Sequence, residues 1–387
     1  MNPHPTFNNG MPSTAWVEVD VAALRSNFAV LAKQIVREDK SVGIIAVVKA
    51  NGYGHGICEA ATVFSEAGAW MVAVSTAEES VKVRTELASV PILQFLPALP
   101  EQLEWLLQNG ITLTATSDHD VAAITRAAQQ LNVQPGVHLK VDTGMGRLGV
   151  LPDSALALAR EIADNKHIRF AGIYTHCARA TDNDARHTRR QFEAFSRVVG
   201  EIKGAGIDCG VCHFSNSASA LRFPDYHFDA VRLGTVLYGQ AYAGAGATNL
   251  DLKSTWTLRA RVLSVRSVPS GTSVGYGAEF TTKRASRLAV LGIGFADGLS
   301  VIPESGVRGT RGIRHLVSLM LGRENGLTVR FDGVSAKIVG RVGMQTCVVD
   351  VTHLPVVEVG SVATLASRRI TTPEHLQRVY KERASVI

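Results

Sequence analysis

From residue 43 the chain alternates short β-branched runs with longer amphipathic stretches, and the alternation repeats eight times before residue 235. The strand candidates are GIIAVVKA (43–50), WMVAVS (70–75), PILQFL (91–96), ITLTAT (111–116), VHLKVD (137–142), FAGIYTHC (170–177), CGVCHFS (209–215) and FDAVRLG (228–234). Helical patterns lie between them, such as PEQLEWLLQNG with its leading proline and closing glycine. In SDHDVAAITRAAQQL, Ser117 can cap with Asp120 at the third position. Eight strands, each separated by a helix, give the count of a TIM-type (β/α)8 barrel. An open doubly wound sheet would instead want a glycine-rich phosphate turn after the first strand, where this chain has KANGYGHG.

After about residue 250 the texture changes to strand patterns without helices: STWTLRARVLSVRSV, RLAVLGIGFA, LTVRFDG, SAKIVGRVG and TCVVDVT. They predict a smaller all-β C-terminal domain, interrupted near 303–326 by a glycine- and arginine-rich loop. With 46% apolar residues both parts can fill a core. No run is long and apolar enough for a membrane span. The net charge of +6 is scattered and only 6% of residues are aromatic, a poor footprint for nucleic acid and a fair one for a small anionic ligand.

Residues 209–213, CGVCH, have the spacing of a c-type haem attachment site. That reading demands export, whereas the chain begins MNPHPTFNNGMPSTAWVEVD, with neither a basic n-region nor an apolar run. The expectation is a cytoplasmic protein whose five cysteines are free thiols. A redox Cys-x-x-Cys is disfavoured too, because that motif wants a helix N-terminus after the strand.

In a TIM barrel the chemistry sits where the strands end. The first strand ends in Lys49, and an amine against the low-dielectric top of a barrel is suited to Schiff-base chemistry, although a strand-end lysine also reads as reaching to solvent. The loops after strands seven and eight carry Asn216, Ser217, Gly234 and Thr235, a hydroxyl, amide and glycine set that suits a phosphate, although Asn-Ser after a strand also reads as a helix cap. Lysine at strand one with a phosphate site at strands seven and eight describes a pyridoxal phosphate site.

These motifs, with AVVKANGYGHG (46–56), KVDTGMGRLG (140–149), GIYTHCARATD (172–182), HFSNSAS (213–219), VRLGTVLYG (231–239), VGYGAEF (274–280), GIGFADG (292–298) and VGRVGMQTCVVDVT (339–352), resemble the alanine racemase family of fold-type III pyridoxal-phosphate enzymes. The resemblance implies an N-terminal segment 1–13, a cofactor-binding barrel over 14–250 and a β-rich domain over 251–387. It implies Lys49 as the Schiff-base lysine, with Tyr53, Asn216, Ser217, Gly234 and Thr235 around the phosphate, His176 beside the ring, and His213 behind Arg232. Arg232 would face the pyridine nitrogen; a guanidinium gives up no proton, so the ring nitrogen stays unprotonated. Tyr276 would be the second base, on the face of the substrate opposite Lys49, reaching the site of a partner subunit in a head-to-tail homodimer. Arg147 and the backbone amide of Met344 would hold the substrate carboxylate, and Lys140 would be carbamylated; it otherwise reads as an ion pair to Asp142 or Asp182. Tyr276 otherwise reads as a hairpin-turn residue, and Met344 as core filler.

The implied activity is the racemisation of alanine, with D-alanine as a peptidoglycan precursor. Three features depart from the family pattern: Gln345 where aspartate is usual, Phe295 where tyrosine is usual, and a C-terminus lacking the Tyr-Glu pair whose tyrosine contributes to the phosphate site. Tyr380 aligns beyond that position. A broader amino-acid racemase acting on serine or larger side chains, and a weakly active or non-catalytic cofactor-binding homologue, therefore stand as alternatives. A decarboxylase on the same barrel would be expected to show a glycine-rich phosphate loop and a late cysteine motif, and neither is present.

Overall fold

The computed structural model describes residues 11–35, 41–240, 250–301 and 327–382, which form two compact units, Val21–Thr255 and Met1–Asp20 with Trp256–Ile387. Strand β1 (Ala15–Asp20) is followed by eight barrel strands: β2 (Gly43–Val47), β3 (Met71–Val74), β4 (Ile92–Gln94), β5 (Leu113–Ala115), β6 (Gly136–Lys140), β7 (Arg169–Tyr174), β8 (Val211–Asn216) and β9 (Ala230–Leu233). All eight expected barrel strands are present. They pair in parallel in the order β4-β3-β2-β9-β8-β7-β6-β5. The ring closes where Thr112 N–H donates to Ile92 O at 2.9 Å and Gln94 N–H to Thr112 O at 3.0 Å. Every residue of β2 is buried, as a strand covered by helices on one side and packed side chains on the other requires.

The helices begin where the sequence places caps. Ser117 Oγ accepts from Asp120 N–H at 3.2 Å at the head of Asp118–Leu131, and Thr76 caps Ala77–Glu86 with Glu79 completing a reciprocal capping box. Both caps fix the angle at which a helix returns over the barrel wall.

The second unit is built on a long strand, β10 (Trp256–Val268), followed by β11 (Ser273–Val274), β12 (Phe280–Thr281), β13 (Ser286–Leu291), β14 (Thr328–Phe331), β15 (Val334–Val339), β16 (Cys347–Asp350), β17 (Val362–Leu365) and β18 (Gln377–Lys381). The first half of β10 pairs with β17 and its second half with β13, so the run β13-β16-β15-β14-β17 closes back on it. One expectation is corrected here: residues 14–20, assigned by sequence to the barrel, hold a strand of the β unit. β1 runs antiparallel to β10 and parallel to β18, and Glu18 pairs with Arg259 at 3.1 Å and Lys381 at 2.7 Å. At the other boundary, residues 252–255 stay with the barrel: Lys253 exchanges two hydrogen bonds with the Asn27 side chain, and Thr255 Oγ1 donates to Tyr238 O. The expected loop at 303–326 lies outside the described residues.

Candidate active site

A cavity of about 280 Å³ opens at the C-terminal ends of the barrel strands. It is lined by Lys49 and Tyr53 beyond β2, Lys140 on β6 with Arg147 in the following loop, and His176 beyond β7. Asn216 and Ser217 at the end of β8, and Arg232, Gly234 and Thr235 on and after β9, complete the polar wall. Folding thus brings together residues scattered over nearly two hundred positions.

Lys49 leaves β2 through an unusual backbone. Ala50, Asn51, Gly52 and Tyr53 all have positive φ (52°, 53°, 59° and 52°), forming one left-handed turn. Gly52 adopts this freely and Asn51 with a smaller penalty, whereas Ala50 and Tyr53 each cost about 1–2 kcal/mol. The turn is held by Gly52 N–H to Val48 O at 2.8 Å, Ile57 N–H to Asn51 Oδ1 at 3.0 Å, and Ala50 N–H to the Glu79 carboxylate at 2.6 Å. Such strain persists where the surroundings over-determine it, commonly at functional sites. The half-buried amine faces the cavity rather than bulk solvent, and burial, then Arg147, lower its pKa; Glu79 opposes the shift and Arg232 adds to it.

Arg232 is fully engaged on its outer nitrogens. Nη1 donates to His213 Nδ1 at 2.8 Å and His213 O at 2.9 Å; Nη2 donates to Thr175 O at 2.7 Å and Phe214 O at 3.0 Å. The four bonds exhaust its Nη hydrogens and leave Nε–H as the donor without an acceptor among the described residues. Because His213 Nδ1 accepts, its Nε2 carries the proton and donates to His138 Nδ1 at 2.9 Å. Burial and the nearby guanidinium lower the pKa of both rings, that of His138 to about 3 after Arg169 adds its charge. Neutral histidines therefore back a buried cation whose own pKa falls to about 10 through desolvation.

On the other side of β9, Gly234 N–H donates to Ser217 Oγ at 2.9 Å, and a Cβ at Gly234 would collide with the Tyr53 hydroxyl. Only glycine fits where these three residues converge. Asn216 is the helix cap that the sequence also allowed: Oδ1 accepts from Ser219 N–H at 3.1 Å while Nδ2 donates to Cys177 O at 3.2 Å.

Lys140 is buried, with Nζ 4.4 Å from the centre of the Tyr174 ring. Desolvation first, then Arg232 and Arg147, bring its pKa down to about 7 against the pull of Asp142. The carboxylates considered as its partners are engaged elsewhere. Asp142 accepts N–H bonds from Gly144, Met145, Gly146 and Arg147, and Asp182 pairs with Arg179. Burial raises the Asp142 pKa, but those four bonds outweigh it and hold the carboxyl below its ordinary range. They also shape the loop that presents Arg147.

Tyr174, fully buried, escaped the sequence reading. It stacks on His213 with centroids 4.8 Å apart and shares a 3.0 Å hydrogen bond with Thr114. Desolvation pushes its phenol up to about 12. His176 has its pKa lowered well below the ordinary value by burial, then by Arg232 and Lys140. Tyr174 lies two residues before His176, a spacing that keeps strand residues on one side; that was the available signal.

The remaining expected residues belong to the β unit. Tyr276 sits on the turn between β11 and β12, flanked by Gly275 (φ 77°) and Gly277 (φ 70°), and is 75% exposed. Met344 is 62% exposed, which rules out the filler reading; its carbonyl accepts from Ala296 N–H at 3.0 Å, beside an exposed Phe295. Gln345 is exposed, and Tyr380 lies on β18 opposite Val19. Cys209 and Cys212 are buried free thiols with sulfurs 3.6 Å apart, and among the described residues no group of three or more His, Cys, Asp or Glu could hold a metal.

The donor set fits pyridoxal phosphate: two desolvated amines, Lys49 and Lys140, a glycine-serine-tyrosine corner that a single Cβ would fill, and a fixed cation with one N–H to spare. The chain matches the family models for the alanine racemase N-terminal domain over residues 19–242 and C-terminal domain over 255–383. An alanine racemase of Halothermothrix orenii is 34% identical over 365 residues, covering 94% of this chain and 90% of the relative. One from Methanococcus maripaludis is 35% identical over 352 residues, covering 90% and 88%. Among solved structures, alanine racemase from Clostridium difficile 630 superposes with a TM-score of 0.85 at 25% identity, covering 96% of this chain and 97% of that one. The enzyme from Streptomyces lavendulae gives 0.83 at 26%, covering 97% and 98%.

Proposed function

The chain belongs to the alanine racemase family, and on that premise we propose that it interconverts L- and D-alanine using pyridoxal 5'-phosphate held by Lys49. The observation that carries the reading is the convergence, in one cavity, of the Lys49 amine, the Arg232 guanidinium and the Ser217–Gly234–Tyr53 corner. When bound, the cofactor supplies the electron sink that accepts the pair left at Cα.

The protein's part is binding, orientation and proton transfer. Ser217, Gly234 and Thr235 would hold the phosphate, with Tyr53 and Asn216 at its edge, and His176 would pack beside the ring. Arg232, held by four other bonds, has Nε–H left to offer and would face the ring nitrogen, where a guanidinium gives up no proton and would leave that nitrogen unprotonated. Arg147, with the Met344 backbone amide, orients the substrate carboxylate. Lys49 moves the Cα proton on one face and the Tyr276 phenol on the other, so removal by one and return by the other inverts the centre. The Tyr276 exposed in this subunit serves the site of a partner in a head-to-tail homodimer, and the protein works in the cytoplasm.

Lys140 is carbamylated in this reading: its neutral amine adds carbon dioxide and loses one proton, turning a cation into an anion that orients Arg147. A pKa of about 7 makes the reactive neutral form abundant at physiological pH.

Borohydride reduction after incubation with pyridoxal phosphate tests the reading: the reduced cofactor belongs on Lys49 by peptide mass spectrometry. Mixing Lys49→Ala and Tyr276→Phe proteins tests the shared site, because mixed dimers regain one site with both bases. A tag on another lysine, or mixed dimers without activity, contradicts it.

A further inference from the structure

We propose that Glu79 is a positioning residue for Lys49, clamping the left-handed turn that follows the lysine onto the head of the next strand–helix unit and fixing the direction in which the lysine leaves its strand. Glu79 Oε2 accepts from Ser75 N–H at 2.7 Å and Thr76 N–H at 3.4 Å, which completes the cap of its own helix. Oε1 has no part in the cap. It accepts Ala50 N–H at 2.6 Å, across 29 residues, at the first strained residue after Lys49.

A carboxylate is the side chain with two acceptor oxygens at this reach, and here it joins two backbones that each present only N–H groups. The bond also opposes the relaxation of Ala50, whose φ of 52° an L-residue leaves readily. Charge acts in the same direction. The ionisable groups around the amine are Tyr53, Lys140, Arg147, Tyr174, His176 and Arg232, and the carboxylate that offsets its neighbouring cations is Glu79.

The inference rests on Lys49 as the cofactor-bearing amine, yet its test needs no cofactor. Glu79→Gln keeps the side-chain length and one capping oxygen, so the helix start survives while an amide NH2 meets Ala50 N–H, donor against donor. Glu79→Asp keeps the charge and is one methylene too short to span both backbones. In cofactor-free protein, amide exchange at Ala50 should rise about ten- to a hundredfold in both variants. Competitive acylation of Lys49 at neutral pH should quicken about tenfold in Glu79→Gln and less in Glu79→Asp, with other lysines unchanged. A merely structural cap would lower thermal stability and move neither readout. Ala50 exchange and Lys49 acylation that match the parent in both folded variants would overturn the proposal. A reduced cofactor found on a lysine other than Lys49 would instead sink the functional reading and leave the Ala50 measurement as the judge of the clamp.

Discussion

Arg232 Nη1 and His213 Nδ1 are joined at 2.8 Å in the buried wall of the barrel, and this contact fixes the protons on two histidines at once. Nitrogen NMR of labelled protein at about pH 6, where a free imidazole is mostly charged, should find His213 and His138 neutral, each with its proton on Nε2. Both folded pKa values lie below the unfolded value, so the unfolded chain binds more protons as acid is added. Stability from His138 is complete above about pH 6.5 and is lost as pH falls toward 3, and His213 acts in the same sense. A ring that charges near pH 6 would contradict the relay.

Replacing His213 removes an acceptor from a buried cation. His213→Leu should cost about 1–3 kcal/mol through the unsatisfied Arg232 donor alone, with more from the lost stacking on Tyr174. Urea titration of the cofactor-free protein measures it.

Gly234→Ala places a methyl group against the Tyr53 hydroxyl. The fold should persist while the affinity for pyridoxal phosphate falls about ten- to a hundredfold, equivalent to about 1.4–2.8 kcal/mol. Gly234→Ala with Tyr53→Phe should recover part of it, as titration of the cofactor's absorbance would report.

Lys140 gives a pH signature of opposite sense to an ion pair. Its pKa is about 7 in the folded protein against 10.5 for the free side chain, so between those values the unfolded chain binds the extra proton and stability rises with pH. Lys140→Met removes this term. In buffer stripped of carbon dioxide, the variant's stability advantage should be greatest below pH 7, about 5 kcal/mol at most, and fade by pH 10.5. A difference independent of pH would rule out a buried, destabilised amine.

The barrel was legible because its strands are buried on both faces and read as apolar runs, GIIAV of β2 being the plainest. Lys49, Ser217, Gly234 and Arg232 followed from strand ends and from the resemblance. Other features were hidden for physical reasons. Propensity gives no sign that Ala50 and Tyr53 take positive φ, and the bond from Glu79 to Ala50 N–H is made by a residue 29 positions away. The pairing of β1 with β10 joins residues some 240 positions apart, for example Val17 with Leu258, and local pattern carries no trace of it. The Arg232–His213–His138 chain depends on which strands are neighbours in the ring, so it appears only once the ring is closed.

The most direct test is to incubate the protein, saturated with pyridoxal phosphate, with L-alanine in deuterium oxide, beside the Lys49→Ala variant. The account predicts that the parent loses optical rotation to zero while gaining one deuterium at Cα, and that Lys49→Ala does neither. Retained rotation in the parent, or racemisation undiminished in Lys49→Ala, would contradict it.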